Sequence, residues 1–155
     1  MALIEIPIER SFHAPGFAAA WSVLRDARET LSHYPRLKRL TDLGDDTWRW
    51  EMEPMGASGF RHQVVYAVVY RYDEPAGEIL WDPIEGEGNA QVSGAFRLRP
   101  VGDTGGVRVT FSTQCNLEIP APRMLKSLIG PFARREFNGQ IDCFIANLEQ
   151  AIGRR

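Results

Sequence analysis

Cysteine is scarce in this chain: Cys115 and Cys143 are the whole supply, and they do not form a CxxC pair. That excludes a disulfide framework and leaves both thiols as small apolar residues in a reducing compartment. Histidine is nearly as rare. His13, His33 and His62 fall on different segments with no HxH or HxxxH spacing, so no metal site is expected. Long apolar runs are missing as well, which excludes a transmembrane helix. The opening MALIEIPIERSF has no basic stretch, and acidic residues interrupt its apolar positions, so it reads as a strand rather than a signal peptide and a cytoplasmic location is expected. Positive charge is not in excess: 18 Lys and Arg against 20 Asp and Glu leave a net charge of -2, which argues against nucleic-acid binding. There is no GxGxxG, no GxxxxGK and no nucleophile elbow, and GDTGG is a hairpin tip; neither a cofactor nor a nucleophilic catalytic residue is implied.

What is present is the composition of one ordinary globular domain spanning residues 1–155, with 44% hydrophobic and 25% charged residues. IEIPIERSF alternates Ile4, Ile6 and Ile8 against Glu5, Pro7 and Glu9, the period of a half-buried strand, and Pro7 marks a stretch without a paired edge. The period then changes. Phe17, Ala20, Trp21 and Leu24 share a helical stripe behind Pro15, and Asp26 caps a second short helix ending near His33, before the Tyr34-Pro35 boundary. From Leu37 to Leu117 alternating segments separated by GDD, PMGASG, DEPAG, GEGN and VGDTGG predict antiparallel strands, with one long strand from Phe60 to Tyr72.

The last segment has the i, i+3, i+4 pattern of one long amphipathic helix: Leu125, Leu128, Ile129, Phe132, Phe137, Ile141, Phe144, Ile145, Leu148 and Ile152. Pro131 cannot donate to the carbonyl four residues back, so residues 122–130 are expected to kink away or to form a separate turn. That places a gate at 123–130, where Met124, Leu125, Leu128 and Ile129 stand beside Arg123 and Lys126, a pairing that also admits transient membrane contact.

The segments RSFHAPGFAAAWSVLRDARETLSHYP, ILWDP and VSGAFRLRPVGDTGGVRVTF, together with the terminal helix, resemble the START-like (SRPBCC) superfamily over essentially the whole chain. The resemblance implies an α+β helix-grip fold: a curved seven-stranded antiparallel sheet wrapped around a long C-terminal helix, with two short helices between strands 1 and 2. It also implies a lipophilic ligand held between sheet and helix. Strand parity then gives the expected lining: Trp50 and Met52; Tyr66, Val68 and Tyr70; Trp81; Phe96; Phe111 and Thr113, facing Leu128, Phe132, Phe137 and Ile141 of the helix. Parity also turns Arg10, His62 and Cys115 inward. The expected function is binding or transport of a hydrophobic or amphipathic small molecule such as a lipid, quinone or polyketide-like aromatic, by a monomer or weak homodimer. The alternative is a cofactor-free polyketide cyclase or dehydratase using acid-base groups in the same cavity.

Overall fold

The computed structural model of the chain describes residues 2–57 and 60–155, with the side chains of Ala57 and Phe60 outside that description. Strand β1 (Ala2–Ala14) runs into helices α1 (Phe17–Leu24) and α2 (Ala27–Ser32). Strands β2 (Leu37–Gly44), β3 (Thr47–Met52), β4 (Met55–Ala57), β5 (Phe60–His62), β6 (Val65–Asp73), β7 (Glu78–Gly88), β8 (Ala90–Pro100) and β9 (Val107–Ile119) follow, and helix α3 (Lys126–Gly153) closes the chain. The main sheet has seven antiparallel strands in the order β1-β9-β8-β7-β6-β3-β2, and β4 pairs with β5 in a separate small ribbon. This is the helix-grip architecture expected from the sequence.

The alternation of β1 is realised residue by residue. Ala2, Ile4, Ile6 and Ile8 are buried while Leu3, Glu5, Pro7 and Glu9 are exposed, and the thirteen-residue ladder from Ala2↔Ile119 to Ala14↔Val107 holds this strand at the sheet edge that Pro7 requires. Asp26 caps α2 as expected: its side chain accepts a hydrogen bond from the Glu29 N–H at 3.1 Å. The GDD turn places Gly44, Asp45 and Asp46 all at positive φ (85°, 52° and 59°), a conformation that aspartate tolerates better than most side chains.

Three expectations are corrected. The single strand from Phe60 to Tyr72 is interrupted, because β5 ends at His62 and β6 begins at Val65. Within PMGASG, residues 55–57 form β4 instead of a loop, while Ser58 and Gly59, like the Phe60 side chain, lie outside the described residues. Asn89 fills the gap at the break: it accepts from the Val65 N–H at 3.0 Å, donates to the Gln63 carbonyl at 2.7 Å, and its own N–H donates to the Val65 carbonyl at 2.9 Å. Nearby Gly88, at φ 83°, lies so close to the Val65 carbonyl that an added Cβ would sit 2.0 Å from that oxygen.

The third correction concerns Pro131. The helix passes through it as one 28-residue element, roughly 42 Å long at 1.5 Å per residue, and only Arg123–Leu125 form a preceding 3-10 turn. Pro131 falls five residues after the first, so the bond it deletes lies near an end that solvent reaches. The buried face of α3 runs through Ile129, Ala133, Phe137, Ile141, Phe144, Ile145, Leu148 and Ile152. Among the described residues, no helix is long and apolar enough to cross a membrane.

Candidate functional site

Between the concave face of the sheet and the middle of α3 lies a chamber of about 50 Å³. Its walls come from parity and helical phase together. Strand β3 supplies Trp50, β6 supplies Tyr66, Val68 and Tyr70, β7 supplies Trp81, β8 supplies Val92 and Phe96, and β9 supplies Phe111, Thr113 and Cys115. Phe137, Ile141 and Phe144 form the roof, and Ile8, Leu31 and Tyr34 close the ends.

The rings are packed into each other. Trp50 stacks on Tyr66 at 5.3 Å with 20° between planes, and Tyr34 meets Trp50 edge-on at 5.2 Å. Trp81 stacks on Phe111 at 5.6 Å, Phe96 meets Phe111 at 5.2 Å, and Phe144 leans on both Tyr34 and Phe111. Trp81 reaches this position because Gly94 opposite it has no side chain: a Cβ there would lie 2.6 Å from the indole ring. The chamber is small because its own lining fills it. A buried water occupies about 10–15 Å³ by the same measure, so the free space takes a few waters, and a larger guest must displace the walls.

Of the thirteen lining residues expected from sequence, the structure brings ten to this chamber and leaves three elsewhere. Met52 has inward parity but lies two residues along β3 from Trp50, where its N–H donates to the Val64 carbonyl at 2.9 Å; it packs as core beyond the end of the space. Phe132 is half-buried against the edge of the core, and Leu128 is 72% exposed. Both misplacements come from helical phase: the buried stripe passes through Ile129 and Ala133, leaving Leu128 and Phe132 one residue off its centre. Met124 (81% exposed) and Leu125 likewise face outward, so the segment 123–130 does not reach the chamber wall, which begins at Phe137.

Arg10 and His62 do not line the chamber either. Arg10 bridges β1 to α3, with Nε donating to Asp142 at 2.6 Å and a second nitrogen to Asn138 at 2.8 Å. His62 lies beside Asn89, their side-chain nitrogens 3.2 Å apart, and partial burial holds its pKa below the ordinary histidine value.

Ile8, Leu31, Tyr34 and Gln140 are the residues that sequence reasoning passed over. The Tyr34 hydroxyl donates to Gln140 Oε1 at 3.0 Å, and Gln140 Nε2 donates to the Met55 sulfur at 3.6 Å. On the far side of this chain of bonds, a surface depression of about 260 Å³ is lined by Pro35, Arg36, Arg135, Glu136, Gly139, Gln140 and Cys143. Through its bond to Tyr34, Gln140 joins a residue of the chamber wall to the surface depression. The signal was available: a glutamine on the buried stripe three residues after Phe137, and Leu31 three residues before Tyr34.

Every titratable group on the chamber wall is held neutral. Burial raises Tyr34, Tyr66 and Tyr70 well above the ordinary phenol value, with neighbouring phenols and Cys115 adding to the effect at Tyr66. Burial likewise pushes the Cys115 thiol up to about 12. Thr113 donates to the Ser93 carbonyl at 3.0 Å. Among the described residues one fully sealed polar side-chain atom has no hydrogen-bond partner, Trp50 Nε1. The Tyr70 oxygen is near enough for the indole dipole to favour ionisation of that phenol, but the two groups do not form a hydrogen bond, and the indole N–H is unpaired. An unpaired buried donor costs about 1–3 kcal/mol, which calls for an explanation.

An antiparallel sheet gripping a long helix is the helix-grip fold. No family model and no curated protein matches the sequence. Solved structures do: TTHA0849 from Thermus thermophilus aligns at TM-score 0.69 with 16% identity over 96% of each chain. A START superfamily protein from Mycobacterium smegmatis aligns at TM-score 0.63 with 14% identity, over 94% of this chain and 96% of that one. The Zhui aromatase/cyclase from a Streptomyces species aligns at TM-score 0.61 with 14% identity, over 96% of this chain and 91% of that one. At these identities the likeness is one of fold.

Proposed function

We propose that the protein binds a small, neutral, hydrophobic molecule in the aromatic chamber, admitting it past the Tyr34–Gln140 hydrogen bond. The observation that carries this reading is the character of the wall: sixteen residues, none of them Asp, Glu, Lys, Arg or His. A charged guest entering such a space loses its hydration without gaining a counter-charge, whereas an apolar ring exchanges water for aromatic contact. The small free volume favours compact ring systems over extended acyl chains, because each added carbon requires further displacement of close-packed rings.

A second reading, a cofactor-free cyclase or dehydratase acting in the same chamber, is favoured by the likeness to an aromatase/cyclase. It requires a group that takes up a proton, and the wall phenols and thiol all keep theirs at neutral pH. That observation ranks it below binding. Ligand-observed NMR with indane, an uncharged bicyclic hydrocarbon, tests the binding reading against 1-indanecarboxylate, its anion-bearing relative. Saturable one-to-one binding of indane and much weaker binding of the carboxylate are expected; tighter binding of the carboxylate, or none of either, removes the proposal.

A further inference from the structure

We infer that the chamber selects ring compounds bearing a carbonyl oxygen, with Trp50 Nε1 as its hydrogen-bond donor and the Tyr70 hydroxyl beside it. This inference rests on the binding reading above and narrows the ligand class within it to neutral cyclic ketones and quinone-like molecules.

Three observations converge. Trp50 is only 4% exposed, it lies in the chamber wall, and its indole nitrogen carries the one sealed and unsatisfied side-chain donor found among the described residues. An indole N–H is a donor only, so its missing partner is an acceptor atom on the guest, which a carbonyl oxygen with two lone pairs supplies and an ammonium group does not. The Tyr70 hydroxyl is adjacent and, held protonated by burial, offers a second donor that can turn toward the same oxygen. The acceptor is neutral in turn, because the wall holds no positive charge to offset that of a carboxylate or phosphate. Trp50 stacked on Tyr66 presents flat ring surface next to the donor, so a planar guest meets aromatic contact and the hydrogen bond together.

The test compares 1-indanone with indane, which share a ring frame and differ by the carbonyl group. For wild type and Trp50→Phe, which keeps an aromatic ring in the stack, the ratio of the two dissociation constants is measured by NMR titration. The ketone is expected to lose about tenfold relative to the hydrocarbon in the variant, the scale of one buried hydrogen bond, and Tyr70→Phe to produce a smaller loss in the same direction. Infrared spectroscopy of 1-indanone bound to wild-type protein gives a readout that needs no variant: its carbonyl stretch moves to lower frequency than in cyclohexane. An unchanged ratio, or a carbonyl frequency equal to that in cyclohexane, overturns the inference while indane binding keeps the binding reading. If neither compound binds wild type, both fall.

Discussion

Replacing Gly94 with alanine tests how the chamber floor is built. A Cβ at this position would lie 2.2 Å from the Ser112 carbonyl oxygen on β9 and 2.6 Å from the Trp81 ring, while ordinary contact begins at 3.4 Å. Relief requires a shift of roughly 1.2 Å in a backbone group in the middle of the longest ladders of the sheet, together with tilting of an indole wedged between Tyr70, Phe96 and Phe111. Overpacking a core commonly costs about 1–3 kcal/mol, and with one of the two obstacles being backbone the upper end applies: ~3 kcal/mol, or a fall in Tm of about 6–12 °C for a domain of this size. Urea and thermal unfolding followed by near-UV circular dichroism measure it. Trp81→Ala removes one obstacle and leaves the other, so Gly94→Ala should cost at least ~1 kcal/mol less in that background. A loss below ~0.5 kcal/mol in the wild-type background, or strict additivity of the two substitutions, refutes the packing argument.

Three further outcomes follow from the same packing. The wall thiol and phenols stay protonated in the folded state and ionise first in the unfolded chain; their contribution to stability is therefore level below about pH 9 and falls above it. Cys115 alone, with its pKa pushed to about 12, contributes about 1.4 kcal/mol per pH unit until then, and urea melts from pH 8 to 11 that show no decline contradict this. Tyr34→Phe breaks the bond to Gln140 and should raise the association rate of indane several-fold at a stability cost of about 1–3 kcal/mol; an unchanged rate in NMR exchange measurements moves the entry elsewhere. Asn89→Ala removes the side-chain bonds to Val65 and Gln63 where the β5–β6 segment breaks, and should destabilise by ~2–4 kcal/mol, with amide exchange faster at residues 63–66; equal exchange there would show that the break supports itself.

Parity and helical phase differed in how far they carried from sequence to site. Parity carried furthest on the strands: Trp50, Tyr66, Tyr70, Trp81, Phe96 and Phe111 arrived where alternation placed them, because a side chain in a ladder has two faces to choose from, whereas Arg10 and His62, also turned inward by parity, lie outside the chamber. Parity does not say how far along a strand a space extends, which is why Met52 reads as lining and packs as core. A helix turns by about 100° per residue, and a one-residue error moves a side chain from wall to solvent, as at Leu128. The size of the chamber was hidden for another reason. Gly94 offers alternation no side chain to place, and only its closeness to Trp81 in three dimensions reveals that it admits a ring that fills the space. The Tyr34–Gln140–Met55 closure joins three elements separated by tens of residues, and no local pattern encodes such a contact.

Whether an uncharged ring compound occupies the chamber beneath α3 is decided by isotope-filtered nuclear Overhauser measurements on labelled protein with saturating indane. Cross-peaks are expected from indane to the rings of Phe96, Phe111 and Phe144 and to the methyls of Val68 and Ile141, whose side chains share the chamber wall. Cross-peaks confined to Met124, Leu125 and Leu128 on the exposed start of the C-terminal helix would contradict this expectation and place the guest outside the chamber.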